Sequence, residues 1–553
     1  MFDRMLLALL LLVVPSTLFA TPQFQTEART YTVRGTVVNS VTGEGVGGAL
    51  VQIYGARQRS MLTGADGKFQ FEGLSNGGFP LTVRKPGYFS TEEIRRQSAQ
   101  PVYVRPEEER PVTLKLIPEG VLYGRITGDN GEPVEYMPVQ IIFERVENGK
   151  RTRDNSRTVR TDEQGEFRQA ELLPGKYFVF VGPSSWPVAF PARLSQSGAR
   201  GYPGVYYPGV PDLFSATAID MTAGKQAEIN LSVSSQPFYR ISGTLSGYGP
   251  GQGVNFQIVS ASGQSIGAGV EFDEARGTFR SSWVPAGVCT ITVESQDANT
   301  GRQSYGSQRL NVTSDMGGVH LALLPSAVIP VNIRLEATAP EPVVGPGEIF
   351  PSGRGHQMRA VQNSPARVVL TPQQHLFAQQ QQYSNSVTDE DSAPAIRNVP
   401  PGVYSVEINP SGPYYVLSAR SGSANLLQQS LTVAPGGSNQ PIDVVLRDDF
   451  ASLEGSLSGR ESQVTTVIIM AANSIAKTMQ TRNVTVMGTG VSSSFQIPQV
   501  APGEYKILAV EGADEIEYDN PEVMSKYLSK ARDISLLPNQ KAKVELTVVH
   551  AGD

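Results

Sequence analysis

Short runs that alternate apolar and polar residues recur along the chain, each closed by turn residues. Val112-Thr113-Leu114-Lys115-Leu116 sets Val112, Leu114 and Leu116 on one face and the polar pair on the other. The same period of two appears in residues 227–233, 319–323 and 442–446, so each is predicted to be a strand with one buried face. The most complete unit is 161–180, TDEQGEFRQAELLPGKYFVF. Asp162 and Gly165 bracket a tight turn, because Asp hydrogen-bonds the backbone ahead of it and Gly takes a positive φ. Phe167 opens one strand, Pro174-Gly175 makes a second turn, and Tyr177-Phe178-Val179-Phe180 forms the next strand.

Degraded copies of this unit follow one another. Asp66-Gly67-Lys68-Phe69 leads to Gly77-Gly78-Phe79, and Gly277-Thr278-Phe279 leads to Pro285-Ala286-Gly287-Val288-Cys289. The fourth copy keeps Thr388-Asp389 and Pro401-Gly402-Val403-Tyr404; the fifth keeps Phe495-Gln496-Ile497 and Pro502-Gly503-Glu504-Tyr505. A spacing of about a hundred residues is too long for a solenoid and suits whole sandwich domains in tandem. The first copy also carries Val33-Arg34-Gly35-Thr36-Val37, Gly45-Val46-Gly47-Gly48-Ala49-Leu50-Val51 and Arg84-Lys85-Pro86-Gly87-Tyr88. The second adds Gly124-Arg125-Ile126 and Glu132-Pro133-Val134; the fourth has no opening glycine.

Together these motifs resemble the carboxypeptidase regulatory-like family. Its members are prealbumin-type β-sandwiches related to the Cna B-type and starch-binding-like domains. The resemblance implies a module that accompanies enzymes, receptors and adhesins without being their catalytic part.

The resulting expectation is an all-β chain of five tandem Ig-like or prealbumin-like β-sandwiches. Their spans are 28–118, 119–234, 235–325, 326–449 and 450–549, after a signal peptide over 1–20. Linkers are very short, which predicts a semi-rigid string of domains. The second domain carries an insertion over 186–214, and the fourth a polar run containing Gln379-Gln380-Gln381-Gln382. Asn520 before Pro521 gives an N-cap and a first-turn proline, so a short helix is expected there.

Composition changes this picture little. The chain has 553 residues, 55 Gly, 39 Pro and 18% charged residues, as expected of a turn-rich β protein. The formal net charge of −6 reads as mild and spread out, and the absence of a basic stripe argues against nucleic acid as a partner.

The N-terminus changes it more. Arg4, an apolar run over 5–14, Pro15 and a cut near Ala20 fit a secretory leader, with no further membrane span in the mature chain. One cysteine, Cys289, excludes an intrachain disulfide and falls where other copies have tyrosine, so it points inward. A secreted chain without disulfides points to a bacterial periplasm, outer surface or exterior.

Candidate chemistry is sparse. His320, His356, His375 and His550 are scattered, and no zinc spacing or G-x-S-x-G elbow occurs. Asp162-Glu163 and Asp389-Glu390-Asp391 depart from calcium-loop spacing, so turn formation explains them better. The chain is read as non-catalytic, with no metal or cofactor. Its candidate ligand-facing residues are Trp186, Tyr202, Tyr206 and Tyr207 in the insertion, whose rings could stack on a polysaccharide or a surface protein. Packing over a sandwich edge or against the next domain is the competing explanation. The function expected is a secreted binding or scaffold protein of the bacterial envelope. The alternative is an accessory subunit of an outer-membrane transporter or extracellular enzyme.

Overall fold

Alternation at the start of the first sandwich becomes strand Tyr31–Asn39, which sends Val33 and Val37 inward. Opposite it, Lys68–Leu74 buries Phe69 and Phe71 and exposes Lys68, Gln70 and Glu72. The computed structural model describes residues 30–55, 57–95, 102–147, 149–182, 193–195, 198–336, 364–373, 382–386, 394–436, 439–459, 464–471, 481–487, 493–513 and 516–550. Residues 1–20, where a leader is expected, Trp186, the glutamine run and the Asp389-Glu390-Asp391 cluster lie outside these. Strands dominate, and the chain divides into two compact units, Met1–Glu119 and Gly120–Asp553.

The first unit is a sandwich of two four-stranded sheets. One runs in the order Lys68–Leu74, Tyr31–Asn39, Val112–Pro118, Tyr88–Ser90; the other runs Arg59–Leu62, Leu50–Ile53, Phe79–Arg84, Val102–Val104. Val33, Val37, Val51, Ile53, Phe69, Leu81, Leu114 and Leu116 belong to the core between them. The closing strand lies parallel to the opening one, with Gly35 beside Val112.

The second unit repeats that closure four times. Gly120–Thr127 lies parallel to Gln226–Glu228 and Leu231–Ser232, Ile241–Ser246 to Met316–Ala322, Ala327–Glu336 to Ile442–Arg447, and Ala451–Ser458 to Lys541–His550. Each of these four segments has its own apolar cluster. In the last two segments the layers join into continuous sheets of nine and seven strands.

Register explains the recurring motif. In four of the five sandwiches the opening glycine faces the aromatic that follows the turn: Gly35 opposite Phe69, Gly124 opposite Phe167, Gly243 opposite Phe279 and Gly455 opposite Phe495. A Cβ at Gly35 would lie 2.4 Å from Phe69 Cζ and 2.5 Å from the Val112 carbonyl oxygen. At Gly455 the corresponding distances are 2.4 Å to Phe495 Cζ and 2.6 Å to the Val544 carbonyl. The glycine is therefore a steric requirement of the ring and of the closing strand, not of a special φ.

Two further motif residues act through hydrogen bonds. Thr161 Oγ1 accepts from the Met137 amide (2.8 Å) and donates to the Val134 carbonyl (2.6 Å). Thr63 repeats this with Ala49 (2.9 Å) and Val46 (2.6 Å). The tyrosine after the Pro-Gly turn donates to the carbonyl four residues back: Tyr177 to Leu173 (2.9 Å), Tyr404 to Pro400 (2.7 Å) and Tyr505 to Ala501 (2.7 Å).

The expected short helix forms over Pro521–Met524, with Asn520 accepting from the Glu522 amide at 3.0 Å. It helps to cover the outer face of the last sheet, where Ile468, Met470, Leu508, Val510 and Tyr527 form a second apolar cluster.

Candidate functional site

The aromatic insertion of the second sandwich is largely packed away. Phe178 and Phe180 alternate to the outer face of their sheet, and the insertion covers them with Tyr206 and Leu213. Tyr206 has 0% of its surface exposed, and its ring tilts onto Phe180 at 4.9 Å. Its hydroxyl accepts from Gln264 Nε2, and burial pushes the phenol up to about 12. A ring with no exposed face cannot stack on a sugar, so Tyr206 is corrected from a ligand-facing residue to a packing one.

Tyr202 is half-buried and donates to Glu132 Oε1 at 3.1 Å, while Tyr207 packs against the second core. The Glu132 carboxyl is held below its usual range, first by its own backbone amide, with the Tyr202 hydroxyl and Asn130 amide adding to this against desolvation. Trp186 lies outside the described residues.

The insertion also joins neighbours. Its strands Arg193–Ser195 and Gly198–Gly201 form one sheet with Gln236–Tyr239 and Val284–Pro285 of the third sandwich. Phe238 lies over Gly201, and Arg200 Nε donates to Ser235 Oγ at 3.0 Å. The sequence held a signal for this cover. Tyr177-Phe178-Val179-Phe180 is apolar on both faces, and a strand apolar on both faces must be covered on both.

What remains open is the outer face of the other sheet of this sandwich. A groove of about 980 Å³ runs over Gly120–Thr127, Glu166–Leu172 and the closing strand. Tyr123, 37% exposed, stands between Arg168 on one neighbouring strand and Glu228 on the other, and Arg125 faces Glu166. The closing strand breaks at Ile229-Asn230, where the Ile229 carbonyl oxygen lies 1.8 Å from the position a Cβ on Gly124 would take.

Asn230 repairs the break. Its Oδ1 accepts from the Arg125 amide (3.0 Å) and its Nδ2 donates to Glu228 Oε1 (2.8 Å). Arg125 Nε donates to the Gln164 carbonyl (2.8 Å), and Arg160 to the Tyr136 carbonyl (3.0 Å). The groove thus offers one aromatic face ringed by fixed guanidinium, carboxylate and amide groups. Sequence reasoning passed over Tyr123; its signal was an aromatic at an outward position of an alternating strand.

Other candidates resolve into structure. Asp162 Oδ1 accepts from the amides of Gln164 (2.9 Å) and Glu166 (2.8 Å), so its carboxylate builds the turn. Among the described residues no group of three His, Cys, Asp or Glu side chains could hold a metal ion. Cys289 is 1% exposed, and burial pushes its thiol up, away from thiolate chemistry. His320 lies between the hydroxyls of Thr244 (2.9 Å) and Ser246 (3.3 Å). Among the described residues no helix is long and apolar enough to cross a membrane.

Residues 32–116 match the carboxypeptidase regulatory-like domain. The matched span falls on the first sandwich. Among solved structures, the chain is similar to the Bacillus anthracis TIE protein at 14% identity and a TM-score of 0.17. That match covers 54% of this chain and 51% of the other, about half its length. It is also similar to a streptococcal ancillary pilin (11% identity, TM-score 0.20, 53% of this chain and 99% of the pilin). A minor pilin of Streptococcus agalactiae matches at 16% identity and a TM-score of 0.21, over 37% of this chain and 97% of the pilin. Identities and TM-scores this low assign neither partner nor role. No curated protein matches the chain.

Proposed function

We propose that the chain is an exported, non-catalytic scaffold of the bacterial envelope that holds a neutral polysaccharide on the outer face of its second sandwich. The observation that carries this reading is Tyr123 standing exposed between Arg168 and Glu228 in an open groove. The C–H face of a pyranose stacks on a phenol ring, while its vicinal hydroxyls take paired hydrogen bonds from guanidinium and to carboxylate. Arg125, Arg160 and Arg168 line the groove with Asp162, Glu166 and Glu228, a balance of charge that suits an uncharged glycan. Asp162 is engaged by the Gln164 and Glu166 amides and Glu228 by Asn230, which favours carboxylates that hold hydroxyls over carboxylates that cleave. The secretory leader over 1–20 supports export.

The test is retention of the full chain on a panel of neutral and acidic polysaccharides, with Tyr123→Ala and Arg168→Ala beside Tyr202→Phe. Saturable binding to a neutral glycan, lost in the first two variants and kept in the third, supports the reading. Binding that survives Tyr123→Ala, or binding confined to acidic glycans, overturns the assignment of the groove.

A further inference from the structure

Strands Pro138–Glu147 and Lys150–Arg160 form the longest hairpin of the second sandwich. Its base is ordinary sheet: Val139 and Ile141 are buried, and residues 139–144 pair with the central strand Gly175–Val181. Beyond Glu144 the hairpin pairs only with itself, and its tip is dense in charge, with Arg145, Glu147, Lys150, Arg151 and Arg153.

In the fifth sandwich, residues 511–519 read EGADEIEYD, five acids and no base. The two segments meet. Arg151 Nη2 lies 2.9 Å from Glu517 Oε2 and its Nη1 3.5 Å from Glu144 Oε1, while Arg153 Nη2 lies 2.7 Å from Glu144 Oε2. Lys150 Nζ is 3.7 Å from Asp519 Oδ2, and the Asp519 amide donates to the Gly149 carbonyl at 3.0 Å. Gly149, at φ +76°, sits so close under Tyr518 that a Cβ would lie 2.2 Å from the ring.

This contact closes a circuit. The second and third sandwiches share a sheet, as described above. Asn398 of the fourth donates to the Gly301 carbonyl (3.0 Å) and accepts from the Gln303 amide (3.1 Å) of the third. Tyr415 of the fourth donates to the buried Asp449 (2.7 Å), whose carbonyl accepts from the Asn539 amide of the fifth (3.2 Å). The short linkers read as a string therefore return the fifth sandwich to the second.

The joints differ in kind. Three are made by paired strands or by hydrogen bonds near a covalent connection, the last of them through Asp449, which Arg447 also pairs. The fourth joins residues far apart in sequence through ion pairs whose basic partners, Lys150 and Arg151, are 68% and 48% exposed, together with one backbone bond and one ring. The screening length falls from about 10 Å at 0.1 M salt to about 3 Å at 1 M, so this joint, the one held chiefly by ion pairs with exposed basic partners, is the one most weakened by ionic strength.

We propose that the basic hairpin and the acidic loop form a salt-sensitive latch, which closes residues 120–553 on themselves and releases the fifth sandwich from the second when its ion pairs are screened. The proposal does not depend on what the groove binds.

The test is small-angle X-ray scattering of the full chain at about 0.05 M and about 1 M NaCl. The same runs include Glu517→Gln/Asp519→Lys, and that variant with Lys150→Asp added. The expected result is a rise in the wild-type radius of gyration with salt. The opening variant should be expanded at both salts, and the added Lys150→Asp should return it to the compact value at low salt. A thermal scan of each variant with unchanged transitions shows that the sandwiches themselves are intact. Equal radii for wild type and opening variant at low salt overturn the latch. So does an expanded variant that the reversed pair does not restore.

Discussion

Replacing Gly35 with Ala tests the reason given for the glycine–aromatic motif. The added Cβ would lie 2.4 Å from Phe69 Cζ and 2.5 Å from the Val112 carbonyl oxygen, against 3.4–4 Å for ordinary contact. About an ångström must be found on each side. The Phe69 ring could tilt, but it is 3% exposed inside the first core. The Val112 carbonyl lies on the closing strand that pairs in parallel with Gly35, and moving it strains that ladder. Overpacking of this kind costs about 1–3 kcal/mol. Gly→Ala at an ordinary φ returns about 0.4–1 kcal/mol by restricting the unfolded chain. The net loss is about 1–2 kcal/mol, which in a domain of this size lowers the melting midpoint by roughly 5–15 °C. Differential scanning calorimetry of the full chain reads it as a shift of the transition belonging to the first unit, the others staying in place. Gly78→Ala is the control, since no atom lies within 4 Å of its Cβ position and its φ is unexceptional. A Gly35→Ala transition that coincides with that of Gly78→Ala would refute the steric account of the motif.

Other outcomes follow from the same geometry. Thr161→Val removes the acceptor of the Met137 amide and the donor to Val134, and should cost about 1–3 kcal/mol, while Thr161→Ser keeps most of it, as urea titration would show. Tyr404→Phe leaves the Pro400 carbonyl without its partner at 2.7 Å and should cost about 1 kcal/mol by the same measurement. Burial pushes the phenols of Tyr206 and Tyr383 up to about 12. Their folded values exceed the unfolded one, so their contribution is complete below about pH 10 and is lost between there and about 12. Phenolate absorbance should therefore show a late-titrating class that rises together with loss of near-ultraviolet circular dichroism. Tyr206→Phe should shrink that class, and a single early class would contradict the burial.

The sandwich fold was legible because it rests on local chemistry. Alternation, turn glycines and the aromatic after each turn act within a few residues of one another, and they write strands and hairpins directly into the sequence. Asn520 and Pro521 marked the short helix over Pro521–Met524 for the same reason. The site was legible only in part. Tyr202, Tyr206 and Tyr207 stand in a loop rich in proline and glycine, which looks exposed. What buries Tyr206 is the outer face of Phe178 and Phe180, together with Gln264 of the next sandwich, and loop composition carries no trace of either. Tyr123 escaped notice because its partners Arg168 and Glu228 lie on two other strands and meet only through register. The same limit hid the latch. A net charge of −6 reads as evenly spread, although residues 144–153 and 511–519 are concentrated blocks that attract each other across the fold.

The copies that break the motif show that its unit is a set of partners and not a residue. In the fourth sandwich Val331 stands where the others have glycine, beside Ile442 of the closing strand. Its amide donates to Pro394 at 2.9 Å, so Pro394 stands where the others have phenylalanine. With no ring reaching across, the site accepts a branched side chain, and Val331 is buried. The third sandwich keeps its glycine and Phe279 but has Cys289 in place of the tyrosine, and so has no hydroxyl to hold the turn before it. There the turn residues Val284–Pro285 pair as a strand with Gln236–Tyr239, and the Ala286 amide donates to the Pro237 carbonyl at 3.0 Å. That strand is the same one that receives the insertion of the second sandwich. Loss of an internal bond in one domain thus coincides with the strand pairing that attaches it to its neighbour. The first sandwich, where Phe79 follows the turn, lacks that hydroxyl as well and forms a compact unit by itself, so the tyrosine bond secures a turn and does not decide whether a sandwich stands alone.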